Sequence, residues 1–102
     1  MKVIVLPLAE ADLDDIYTFY EEKSQPTASK IYNSILDEIG ILESFPQAAP
    51  IEPLLKGQSK IFRSLVISNG LFKAIYFVEA DTVYITHIWC CRQNPRHLQR
   101  RY

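Results

Sequence analysis

The groups able to do chemistry in this 102-residue chain are sorted unevenly along it. Residues 55–102 hold eight bases (Lys56, Lys60, Arg63, Lys73, Arg92, Arg96, Arg100, Arg101) against Glu79 and Asp81, a balance of +6. Residues 1–54 hold ten acids and only Lys2, Lys23 and Lys30, a balance of −7. The formal net charge of −1 therefore hides a basic half suited to an anionic partner and an acidic half suited to water. Arginine and lysine can hold phosphate or carboxylate, and all five arginines lie after residue 60.

Other reactive groups point less clearly to a reaction. Cys90 and Cys91 are adjacent; a disulfide between neighbours is strained, and two thiols fall short of the usual four zinc ligands. They read as buried free thiols, so neither a metal nor a cofactor is expected. His87 alternates with Val83, Ile85 and Trp89, the pattern of a hydrogen-bonded core histidine. Asp12, Asp14 and Asp15 stand in the first two turns of a helix, where negative charge suits its dipole, and do not form a carboxylate pair for acid–base work.

The elements that must position these groups follow from periodicity. Lys2–Leu6 reads as a strand. From Pro7 a helix buries Ala9, Leu13, Ile16, Tyr17 and Tyr20, at offsets 0, 4, 7, 8 and 11. Residues 23–27 break it, and Ser24 caps a second helix that runs to about Glu43 and buries Ala28, Ile31, Ile35, Ile39 and Leu42. Phe45-Pro46 ends that helix, and a proline-rich crossing covers residues 46–60. Three strands follow, 61–67, 71–78 and 82–91, with Ser68-Asn69-Gly70 and Glu79-Ala80-Asp81 as turns. The order β-α-α-β-β-β gives an α+β fold: an N-terminal strand, an antiparallel helical hairpin, then a three-stranded antiparallel meander, all forming one curved sheet.

Length bounds this to a single domain, residues 1–102, with a basic tail at 92–102. No apolar run is long enough to span a membrane, and the apolar stretch before Pro7 is too short for a signal peptide. The cytoplasm is the expected compartment.

The order and spacing of several short segments resemble the RelE/ParE superfamily of toxins from type II toxin–antitoxin pairs. These segments are Ala11-Asp12-Leu13-Asp14-Asp15-Ile16-Tyr17, Ile35–Pro46, Arg63-Ser64-Leu65, Lys73-Ala74-Ile75-Tyr76, and Val83–Ile88 leading into Arg92-Gln93-Asn94-Pro95. The resemblance spans nearly the whole chain. It implies a cognate antitoxin that wraps the toxin in a hetero-oligomer, and a target that is either ribosome-bound messenger RNA (RelE-like) or DNA gyrase (ParE-like).

For an RNA endonuclease, the resemblance puts Arg63, Lys73 and Arg92 at the phosphate-holding positions and brings His97 and Tyr102 from the tail as proton-transfer candidates. Two departures weaken that chemistry. Lys73 stands where arginine is common, which loses bidentate phosphate geometry, and Cys90 stands where many relatives carry histidine. With a net charge of −1 and no clear acid–base pair, the ParE-like reading is favoured: a toxin acting on a protein target, with Arg92, Arg96, Arg100 and Arg101 as the partner-binding surface. The RNA endonuclease is the alternative, and a non-toxic relative that only binds an antitoxin-like partner is the third. An exposed sheet edge beside basic surface suggests that the antitoxin pairs through an extended acidic peptide.

Overall fold

The computed structural model describes residues 1–91. Strand β1 (Lys2–Val5) leads directly into helix α1 (Pro7–Glu21), where Pro7 takes the first turn that proline tolerates. Helix α2 (Gln25–Ile39) starts at Ser24, whose hydroxyl accepts the Thr27 amide at 3.4 Å. It ends four residues before the expected Glu43, because residues 40–43 tighten into a 3₁₀ turn that still buries Leu42. Strands β2 (Arg63–Ile67), β3 (Phe72–Glu79) and β4 (Thr82–Cys90) form the meander, so β2 begins two residues later than expected.

The sheet order is β1-β4-β3-β2. Strands β2, β3 and β4 pair antiparallel, and β1 joins the outside of β4 in parallel, Lys2 opposite Thr82 and Val5 opposite Ile85. Between β2 and β3 the backbone turns through Ser68, Asn69 and Gly70, all at positive φ, with Gly70 at +89°. Ala80 takes φ +54° between β3 and β4, without the freedom of glycine.

Both helices cover one face of the sheet. Ala9 and Leu13 of α1, and Ile35 and Ile39 of α2, meet Ile67, Phe72, Ala74, Tyr76, Val83, Ile85 and Ile88 in the main core. Tyr17 and Tyr32 meet edge to face between the helices, centroids 5.9 Å apart, which keeps both as packing residues. The other face is covered by the proline-rich crossing rather than by a helix. Leu54 and Leu55 from that strap pack with Phe62, Ile75, Phe77 and Trp89 in a smaller second core.

One irregularity divides β4. The register slips between Ile75 and Tyr76, which face His87 and Ile85, so Thr86 is an extra residue. The parity of everything beyond it reverses. Val83 and Ile85 face the helices, whereas His87 and Trp89 face the strap. The expected shared face of these four residues is thus corrected; His87 is buried as expected, but beneath the strap.

Candidate functional site

The sequence singled out Arg63 and Lys73 as two cations of one surface. The register places them on opposite faces. Arg63 is opposite Tyr76, whose ring is in the main core, while Lys73 lies between Val66 and Trp89 on the strap side. The strand period of two makes this unavoidable: Arg63 falls in line with Leu65 and Ile67, and those two residues must bury against the helices.

Each cation already has an anchor. Arg63 Nη1 donates to the Ala49 carbonyl at 2.8 Å, tying the start of the strap to β2. The strap then rounds the β2 edge as a short paired segment. Ser64 N donates to Pro50 O at 3.1 Å, and Glu52 N donates to Phe62 O at 2.8 Å. That turn delivers Glu52 to the far face, where Lys73 Nζ donates to its carboxylate. The Glu52 side chain is only 3% exposed and that of Lys73 17%.

Burial alone would push the Glu52 carboxyl up. The Leu54 amide at 3.0 Å, the Lys73 ammonium and the Ser64 side chain together outweigh it, so its pKa lies below the ordinary carboxylate value. Glu52 is therefore ionised at neutral pH and neutralises Lys73. A phosphate at Lys73 would have to displace a buried carboxylate and lift a hydrophobic strap. Tyr76, the neighbour of Arg63, is fully buried; burial raises its pKa, with the Ala49 backbone and the Arg63 charge opposing, so it stays a neutral phenol.

Among the described residues, this geometry brings together none of the expected catalytic set. Arg92, His97 and Tyr102, and the partner-binding candidates Arg96, Arg100 and Arg101, lie outside the described residues. Cys90 and Cys91 are free thiols, but neither is buried as expected: Cys90 is half-buried and Cys91 exposed. No group of three or more histidine, cysteine or acidic side chains among the described residues could hold a metal.

The sequence missed two residues that organise the sheet. Glu52, read as one acid among ten, is the partner of Lys73. Asp12, assigned to the helix dipole, sits on α1 over the β4 bulge, where its Oδ2 accepts the Ile88 amide at 2.9 Å. Thr86 Oγ1 donates to the Ile75 carbonyl at 3.1 Å from the other side of the same bulge. A usable signal for Asp12 was its position one residue before the buried Leu13, which keeps it close to the sheet.

At the end of β4, Asp15, Ile16, Phe19 and Tyr20 of α1 and Leu71, Phe72 and Cys90 line a mainly apolar hollow of about 360 Å³. Phe19 at its rim is 55% exposed. The arrangement is an open, helix-backed sheet with exposed apolar surface, lacking an open cationic cleft among the described residues. The model of the ParE toxin of the type II toxin–antitoxin system, parDE, matches residues 3–95. The chain belongs to the ParE toxin family. Among solved structures, this toxin is similar to a chain of the chromosomal ParDE TA system from P. aeruginosa. The two are 26% identical with a TM-score of 0.74, and the match covers 88% of this chain and 95% of that one. No curated protein matches its sequence. The likeness agrees with the α+β architecture and with a type II toxin. No helix among the described residues is long and apolar enough to cross a membrane.

Proposed function

We propose that this ParE-family toxin arrests growth by binding a protein target such as DNA gyrase, in the cytoplasm, and that a cognate antitoxin neutralises it in a hetero-oligomer. The observation that carries this reading is the strap. It fills the sheet face away from the helices, and its Glu52 occupies Lys73, while Arg63 lies on the other face. RNA cleavage through the 2′-hydroxyl needs cations grouped around one phosphate and room for it, and that face offers neither among the described residues. Protein recognition needs apolar anchors with a charged rim, which Phe19 and the hollow beside it supply. Arg92, Arg96, Arg100 and Arg101, which follow β4 in the sequence, are proposed as the charged part of the binding surface.

The test has two arms. Expression of the toxin is expected to arrest growth, with relief by the product of the neighbouring gene, and purified toxin is expected to inhibit supercoiling by DNA gyrase. In parallel, a defined messenger RNA in a reconstituted translation reaction is expected to stay intact. Ribosome-dependent cuts that vanish in Arg92→Ala would overturn the reading in favour of the RNA endonuclease. Folded protein that leaves growth untouched would point instead to a relative that only binds an antitoxin-like partner.

A further inference from the structure

The last turns of α1 carry a charge pattern that reads oppositely from its two ends. Asp15, Phe19 and Lys23 follow one another at intervals of four residues, so they form one stripe along the helix and the turn that closes it. That turn continues the coil past Glu21, for Lys23 N donates to Tyr20 O at 3.0 Å. All three side chains are exposed, and Lys23 Nζ lies 5.1 Å from the centre of the Phe19 ring, which holds the stripe together. Neither Asp15 nor Lys23 has an ion-pair partner among the described residues.

Phe19 also borders the hollow at the end of β4. Its ring meets Tyr20 edge to face, centroids 5.0 Å apart, and more than half of the residue still stands in water. A large ring exposed beside an apolar hollow is surface that a neighbour can bury. A twofold axis through Phe19 sets α1 of a second copy antiparallel to the first. Asp15, four residues before the axis, then faces Lys23, four residues after it, and symmetry forms the same pair again. Phe19 of each copy meets the ring and the hollow of the other. The remaining acid beside the stripe, Glu22, falls opposite the aliphatic Ile16 rather than opposite another acid.

We propose that this flank of α1 is a self-association surface. Two copies of the chain pack antiparallel through Phe19, and Asp15 of each pairs with Lys23 of the other. A parallel arrangement would set like charges together, and a partner of one sign would match only one of the two charges. A second copy matches both. Stable interfaces bury about 1,200–2,000 Å². One helix stripe and one hollow fall short of that, so a weak pair is expected, with Kd on the order of 10–100 µM. The same surface is the one proposed above for the protein target, so target and second copy exclude each other. That consequence alone rests on the toxin reading; the self-association does not.

Sedimentation of the full-length toxin over a range of concentrations tests this. The unaltered chain is expected to pass from monomer to dimer, and Phe19→Ala to weaken the dimer at least about tenfold. Asp15→Lys and Lys23→Asp, both at exposed positions, are each expected to stay monomeric with unchanged circular dichroism. Mixed in equal amounts, those two variants are expected to associate, because each then supplies the charges that the other lacks. The double variant Asp15→Lys/Lys23→Asp is expected to dimerise again. A monomer at every concentration overturns the proposal. If the Phe19 ring of that monomer is also shielded from a soluble paramagnet, the occupant is another segment of the same chain. Association that survives both single reversals, or a mixture that stays monomeric, overturns the proposed pairing as well. Gyrase inhibition is scored separately. A toxin that inhibits gyrase but never dimerises loses this proposal alone, and one that dimerises without inhibiting gyrase loses the toxin reading alone.

Discussion

The two faces of the sheet are both buried, but by different means. On one, two helices of fifteen residues each press apolar side chains onto all four strands. On the other, a proline-rich strap contributes Leu54 and Leu55, and an ion pair does part of the holding. The helical face draws its stability from apolar area, which tolerates changes of pH and salt. The strap face depends on a buried charge whose desolvation cost is offset only while its partner stays in place. Two cores of one sheet are thus expected to fail under different insults.

The largest expected effect is on the helical side. Ile85 is fully buried there, and Ile85→Ala is expected to cost about 3–4 kcal/mol, lowering Tm by more than about 10 °C in thermal unfolding. An equal loss from Leu55→Ala, which empties the strap core instead, would erase the distinction between the faces. Next comes Lys73→Met, which leaves the Glu52 carboxylate buried without its cation, at about 3 kcal/mol. The double variant Lys73→Met/Glu52→Leu is expected to recover most of that loss, because no charge then remains to be solvated. Acid separates the faces in the same way. The Glu52 pKa is lowered in the folded state, so its contribution is present above about pH 4.5 and is lost as pH falls through the folded value. Denaturant midpoints of the toxin and the double variant should therefore converge on acidification.

A smaller effect is expected at the bulge. Asp12→Ala strands the Ile88 amide and is expected to cost about 1–2 kcal/mol, whereas Asp12→Asn keeps an acceptor and most of the stability. Hydrogen exchange at Ile88 should quicken in the first variant and change little in the second. The smallest effect has the opposite sign. Ala80→Gly relieves a φ of +54° and is expected to gain about 0.5–1 kcal/mol, read as a shift in denaturant midpoint with unchanged slope.

The elements were legible because their signals are local. The apolar spacing in α1 and α2, Ser24 as a cap, and the run Ser68-Asn69-Gly70 each act within a few residues, and the helices and turns formed where those signals lie. What stayed hidden depends on residues far apart in sequence. The bulge at Thr86 is invisible to a count of alternating residues, and it moved His87 and Trp89 to the strap face. The opposite orientation of Arg63 and Lys73 required the register across a turn. The pairing of Lys73 with Glu52, twenty-one positions away, required the path of a loop with no periodicity at all. Likeness to a family supplied the toxin; the physical reading of the strap supplied the argument against an exposed RNA site.

The placement of β1 also bears on how the molecule is made. On the sheet Lys2 is the partner of Thr82, which lies far along the chain from it. At about 5–20 residues per second, that partner is synthesised roughly 4–16 s later. Until then the first strand has no place to dock, and the α1 helix has no bulge for Asp12 to close. Pairing of β1 thus waits until β4 has been made, and the first strand stays without its sheet partner through most of the synthesis of the fold.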